Sequence, residues 1–299
     1  MLIQCQRFGH FDEHLVSLYS LAYGDPYLYK NTYLVYYDRY SRILYLSLFE
    51  LNGSENKLKC IQTAAKIFKP EQLIATSPQE LPTNIEGFRC LKIDYDQDYQ
   101  IYIPDFDETL KGGALKQLRY RVHNAEKRGY RLKIGKKMTP AHFHIIAQHE
   151  QSKKLDLYDS QLYLGIYEYL RKFKSPLLFN VFSNGTLVGF DLVDFFKDTM
   201  TIPLGFYTEA PSLADFILHQ EILHAKKKEC KWLDLGWACG PGVEEFKKKW
   251  SAIPRFQIWA YEYINENHID DHNPQKEIAV DFKEVKPRDP IHPQSPALV

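Results

Sequence analysis

Long apolar runs are the first thing this chain lacks. Nowhere in its 299 residues do 18 apolar residues follow one another, so no stretch reads as a membrane-crossing helix. The opening twenty residues, MLIQCQRFGHFDEHLVSLYS, hold no basic region followed by a long apolar core, so they do not read as a secretory leader. Cysteine is scarce. Cys5, Cys60, Cys90, Cys230 and Cys239 are odd in number, widely spaced and free of any Cys-x-x-Cys pair, which argues against a disulfide framework and a zinc ribbon. The expectation is a reduced, cytoplasmic chain. Net charge is missing too: 38 Lys and Arg balance 38 Asp and Glu, so no overall field draws the protein to nucleic acid or an anionic surface, and any polyanion site must be local. There is no Gly-x-Ser-x-Gly, no P-loop and no dinucleotide fingerprint. His142 and His149 share a helical face in TPAHFHIIAQHE but stand two turns apart, too far to ligate one metal unaided, and His144, His219 and His224 add nothing; no metal is expected.

What is present is a globular composition, 44% hydrophobic, in a chain long enough for two domains. The first hundred residues alternate aromatic-rich strand candidates, YLVYY and RILYLSLFEL, with a helix candidate, LKCIQTAAKIF. A boundary is placed near residue 105, in IYIPDFDETL, giving units 1–104 and 105–264 and an extended, Pro-rich tail over 265–299. Downstream, PLLFNVF, TLVGFDLVDFF and TMTIPLGFYTE read as three antiparallel strands joined at Asn184-Gly185 and Lys197-Asp198. The stretch from Pro211 to Cys230 reads as an amphipathic helix with Ser212 and Asp215 as a capping box. KWLDLGW is a strand, PGVEEFKKKW a helix and RFQIWAYEY a last strand, so the order is β-β-β-α-β-α-β.

Two stretches carry a family resemblance. YTEAPSLADFILHQEILHAKKKECKWLDLGWACGPGVEEFKKKW resembles the acyltransferase domain of the Fem-type aminoacyl transferases of the GNAT superfamily, in which Asp-x-Gly ends a strand and a Phe-Lys pair follows on a helix. The matching positions here are Asp234, Gly236, Phe246, Lys247 and Trp250. LKGGALKQLRYRVHNAEKRGYRLKIG is similar to the Arg-rich helix ending in Arg-Gly in Fem proteins and in the synthase domain that lysinylates phosphatidylglycerol. Together they span about residues 100 to 262. The resemblance implies an α+β fold: a GNAT-like mixed, mostly antiparallel sheet flanked by helices, in two tandem units with the first degenerate.

It also implies an acyltransferase. The donor would be aminoacyl-tRNA and the acceptor an amine or hydroxyl of a small molecule or cell-envelope component, with no cofactor. The alternatives are an N-acyltransferase using acyl-CoA or an acyl carrier protein, and a non-catalytic RNA- or lipid-binding module on the same fold. TEAPSLAD, where a coenzyme A pyrophosphate loop would lie, has no glycine to let backbone amides crowd a phosphate, which favours the tRNA-linked donor.

The residues suit such roles. Pro203 cannot donate to a ladder, so it favours a bulge or an edge where a GNAT sheet parts to admit its donor. Pro203, Tyr207, Trp237 and Phe246 are the candidate channel residues. Lys247 would place a cation beside the carbonyl oxygen that gains charge during acyl transfer, while Lys248 and Lys249 would be solvated. On the helix, Phe246 would face the sheet and Lys247 would reach along its edge towards the opening between the parted strands, its charge no part of the core. Asp234 would accept a proton from the attacking amine or cap the loop that follows it. From Lys116 to Lys137 nine basic residues meet one acid, Glu126, a net charge of +8 on what reads as a basic helix with Leu115, Leu118, Val122 and Ala125 as its apolar stripe. Arg119, Arg121, Lys127 and Arg128 are its candidate phosphate or donor contacts, for tRNA, a nucleotide-linked group or a lipid headgroup. Tyr19, Tyr23, Tyr27 and Tyr29 would either line an acceptor pocket or pack the core.

Overall fold

A computed structural model describes residues 2–4, 10–11, 14–51, 54–113, 115–153 and 157–266. The tail expected from 265 onward lies, from residue 267, outside the described residues. In chain order the elements begin with β1 (Leu2–Gln4), β2 (His10–Phe11), β3 (His14–Leu15), α1 (Val16–Tyr23), β4 (Asp25–Tyr29), β5 (Tyr33–Asp38), β6 (Ile43–Ser47), α2 (Lys57–Phe68), β7 (Gln72–Ser77), β8 (Asn84–Ile85) and β9 (Phe88–Tyr102). They continue with α3 (Lys116–Lys127), β10 (Arg131–Gly135), α4 (Pro140–Lys153), α5 (Leu157–Lys172), β11 (Leu177–Ser183), β12 (Thr186–Phe196), β13 (Thr199–Tyr207), α6 (Leu213–Lys227), β14 (Trp232–Trp237), α7 (Pro241–Lys249) and β15 (Ile253–Asn265).

Two copies of one pattern make a single sheet. In the first, β4, β5 and β6 run antiparallel, α2 crosses over, and β7 returns parallel to β6. In the second, β11, β12 and β13 run antiparallel, α6 crosses over, and β14 returns parallel to β13. The copies are sewn together by exchange. The strand β9, which leaves the first pattern, pairs with β14, while β15, which closes the chain's second pattern, pairs with β7; β9 and β15 also pair with each other. The sheet therefore reads β1-β4-β5-β6-β7-β15-β9-β14-β13-β12-β11-β10, mostly antiparallel, with helices on both faces. This is the tandem GNAT-like architecture that the sequence leads one to expect.

Local chemistry explains the elements. Asn184 and Gly185 both take positive φ, 49° and 83°, as a two-residue hairpin turn needs. α2 buries Cys60, Ile61 and Ala64, and Asn56 caps it by accepting from the Lys59 N–H at 2.9 Å. α3 buries Leu118, Val122 and Ala125 in the second core, with Leu115 packed against them. It stops where Gly129 swings to φ 78°: the Gly129 N–H donates to Glu126 O and the Tyr130 N–H to Ala125 O, a Schellman closure.

That closure corrects the reading of one long basic helix. The helix proper ends at Lys127; Arg131 and Lys133 lie on β10, the edge of the sheet, where charged side chains discourage pairing with another chain. A second correction concerns α6. Ser212 sits at φ 62° and makes no side-chain cap bond, because the left-handed backbone does not present its hydroxyl as an extended cap residue would. Asp215 has turned into the core instead. Its carboxylate accepts from Trp250 Nε1 at 3.0 Å and pairs with Lys249 at 2.6 Å and Arg121 at 3.2 Å, tying α3, α6 and α7 together.

Candidate active site

The site is built by a failure of pairing. β13 and β14 are joined only at Thr199–Trp232, Met200–Leu233 and Thr201–Asp234. Beyond Thr201 the register between β12 and β13 slips by one residue, so that Ile202 and Pro203 form a bulge opposite Val193. Proline fits there because it has no N–H to donate. β14 carries a matching irregularity against β9 between Asp234 and Gly236, and Gly236 takes φ 68°. From Ile202 to Tyr207 one edge of β13 therefore faces a gap instead of a strand. The first copy has no such opening: β6 and β7 stay paired from Ile43–Gln72 to Ser47–Thr76, and the Leu48 N–H adds a bond to Thr76 O at 2.8 Å. Its parallel pair is closed.

Pro203 and Tyr207 lie on the β13 rim, and Gly236 and Trp237 on the β14 rim; a side chain at Gly236 would point to within 3.9 Å of the Ile202 carbonyl. Phe246 packs against the second core with Lys249 over its ring at 4.7 Å.

Lys247 overturns the local expectation. It is 5% exposed, more buried than Phe246, and its ammonium donates to three successive carbonyls at the end of β14: Leu235 at 2.7 Å, Gly236 at 2.8 Å and Trp237 at 2.5 Å. A strand that bends away from its neighbours orphans its carbonyls, and a three-donor cation satisfies them together. Burial lowers its pKa, opposed by Cys239 and by Asp98, Asp234 and Asp96. The charge belongs to the fold. Lys248 pairs with Glu244 at 2.5 Å on the surface, so it is solvated as expected, whereas Lys249 is committed to Asp215.

Asp234 is buried. Its Oδ1 accepts from the Gly236 N–H at 2.8 Å, and Oδ2 lies 4.0 Å from Arg255. Burial raises its pKa, against the pull of that N–H, Arg255 and Lys247. Tyr19, on α1, joins this side: burial pushes its phenol up to about 12, and Asp234 and Asp98 add to the rise. The other three tyrosines are packing residues, Tyr23 stacked on Tyr45, Tyr27 against Phe68 and Tyr29 in the first core.

The basic candidates do not converge. Arg119 donates to Leu110 O at 2.5 Å on the wall of a 510 Å³ groove that also holds Lys116, His123 and His219 but is balanced by Glu108 and Glu126. Arg121 is held by Asp215, and Lys127 and Arg128 are exposed at the far end of α3. His142 bridges Thr139 and Asn180 in the core.

Sequence reasoning missed Asp191 and Glu221, which meet beside the gap. Asp191 is a carboxylate at an inward position of a strand, between Gly189 and Val193, and that break in an apolar alternation was the available signal.

No protein-family model and no curated protein matches the chain. Solved structures do. The chain is similar to the C-terminal domain assigned to a lysylphosphatidylglycerol synthetase of Agrobacterium fabrum, with 13% identity over 82% of this chain and 86% of that one, TM-score 0.55. It is similar to FemX, with 13% identity over 91% of this chain and 89% of that one, TM-score 0.51. A tandem GNAT protein from the clavulanic acid biosynthesis pathway aligns at 12% identity over 83% and 86%, TM-score 0.52. At these identities the likeness is one of fold: the chain has a tandem GNAT-like fold. Among the described residues no helix is long and apolar enough to cross a membrane.

Proposed function

We propose that the second copy is an acyltransferase, taking an aminoacyl group from aminoacyl-tRNA and delivering it to an amine or hydroxyl of a small-molecule or cell-envelope acceptor. The observation that carries this reading is the parting of β13 from β14 at the Ile202–Pro203 bulge, while the equivalent pair in the first copy stays closed. A donor laid along the free edge of β13 would pair with the backbone groups that face the gap. Lys247 fixes the opposite rim through three carbonyls and is the buried cation on that rim, so it would stabilise negative charge developing on the acyl oxygen. Asp234, with its pKa raised by burial, would accept the acceptor's proton. Arg119, Lys127 and Arg128 would meet phosphates of the donor. The names of FemX and of the synthetase domain agree with an aminoacyl donor, and so does the glycine-free TEAPSLAD segment.

Total tRNA charged with a mixture of carbon-14 amino acids is the direct probe. The protein should retain charged tRNA over uncharged tRNA and transfer label to an acceptor fraction, whether small amines or envelope lipids. Tight stoichiometric binding of acetyl-CoA with no preference for charged tRNA would refute the tRNA donor and favour an acyl-CoA enzyme.

A further inference from the structure

A buried acidic pair beside the gap has no part in the chemistry so far. Asp191 on β12 and Glu221 on α6 are each 1% exposed, and their carboxyls are hydrogen-bonded to each other. Tyr207 Oη donates to Asp191 Oδ1 at 2.5 Å. One oxygen of Glu221, Oε1, is buried without a donor. Among the described residues no Lys, Arg or His acts on either carboxyl; only the pair itself and Tyr207 do. Two carboxyls that share one proton keep one negative charge between them. A net charge buried without a counter-ion is costly, and a protein keeps such an arrangement where a ligand completes it.

The pair lies against the free edge. Asp191 stands opposite Gly205 in the β12–β13 ladder, and Gly205 belongs to the part of β13 that lacks a partner on its other side. A Cβ on Gly205 would lie 2.5 Å from Asp191 Oδ1 and 2.6 Å from Tyr207 Oη. Only glycine lets the carboxyl and the phenol reach over the strand, which puts them within about one strand spacing, ~4.8 Å, of the gap. The Tyr207 residue is 38% exposed although its hydroxyl points inward to Asp191, so this side chain runs from the surface to the buried pair.

We propose that Asp191, Glu221 and Tyr207 form a subsite for a protonated amine, the ammonium of an aminoacyl group held along β13. An R–NH₃⁺ group has three donors, and the site offers an Asp191 oxygen, Glu221 Oε1 and the Tyr207 hydroxyl oxygen as acceptors. Its charge neutralises the pair's. An acetyl or fatty acyl group would leave that charge unpaired, so the subsite selects the donor class. This rests on the acyltransferase reading and adds to it the feature of the donor that is recognised.

Alaninamide and propionamide, alike except for the ammonium, are the probes, with amide NMR of the full chain as the readout. Alaninamide should shift the Gly205 and Tyr207 amide signals saturably and propionamide should not. Asp191→Asn and Glu221→Gln, both close in shape to the native residue, should abolish the shift while keeping wild-type signal dispersion. Equal effects of the two amides, no shift up to the solubility limit, or a shift that survives in whichever variant folds would each overturn the subsite. The transferase reading stands or falls separately, on charged tRNA. Alaninamide bound at Gly205 without any binding of charged tRNA keeps the subsite and sinks the tRNA donor, and the reverse result keeps the donor and sinks the subsite.

Discussion

Replacing Lys247 with Met should unfold the protein far more readily than replacing either neighbouring lysine. The side chain is 5% exposed, and its three N–H groups serve Leu235, Gly236 and Trp237. Methionine fills nearly the same volume, so packing changes little, but three carbonyls lose a charged donor. A hydrogen bond to a charged group contributes about 1.5–3 kcal/mol, and an orphaned buried acceptor costs about 1–3 kcal/mol. Against this, the variant no longer desolvates an ammonium, which offsets several kcal/mol. The net expectation is a loss of about 3–5 kcal/mol, as for other broken buried charge networks. Lys248→Met removes an exposed pair with Glu244 and should cost about 0.3–0.5 kcal/mol. Lys249→Met leaves the buried Asp215 short of a partner and should fall between them, about 1–2 kcal/mol. Urea unfolding followed by fluorescence of the buried Trp250 reads all three. A Lys247→Met variant within about 1 kcal/mol of wild type, or three equal losses, would show that the ammonium does not hold the end of β14.

Stability should also carry the mark of the acidic pair. Burial raises Asp191 from 3.8 to about 6, and raises Glu221 well above its ordinary value. A carboxyl raised on folding contributes stability below its unfolded pKa and loses it as pH climbs through the folded one, so stability should fall as pH rises from about 4 through about 6. The groups facing it are Glu221 and Tyr207, with His224 one turn along α6 against Phe179. Thermal melts at stepped pH should show that slope in wild type and a flatter one in Asp191→Asn; parallel curves would refute it. Asp215→Ala strands the buried Trp250 N–H and leaves the half-buried Lys249 without its partner, and should lower stability by about 3 kcal/mol in chemical unfolding, where a loss below about 1 kcal/mol would deny it the role of a hub.

Much of the fold was legible locally. Asn184-Gly185 fixes a hairpin because both residues accept positive φ. The apolar spacing of Leu118, Val122 and Ala125 marked a helix face that the structure buries. Pro203 announced an interruption, because no donor can exist there, and the interruption is where the sheet opens.

What the sequence by itself determined was therefore the run of elements from β11 to β15 and the place where a ladder must break. Tertiary structure alone decided how the breaks are used. The exchange of β9 and β15 joins strands far apart in the chain, and nothing local encodes which of two antiparallel neighbours a strand will choose. That the Lys247 charge is built into the core depends on three carbonyls supplied by another element, which helical spacing could not show. Asp191 and Glu221 are separated by a strand and most of a helix, and only the packing of α6 on the sheet brings two carboxyls into one buried site. Charge and hydrogen-bond satisfaction are properties of an assembled neighbourhood, and that neighbourhood does not exist until the chain has folded.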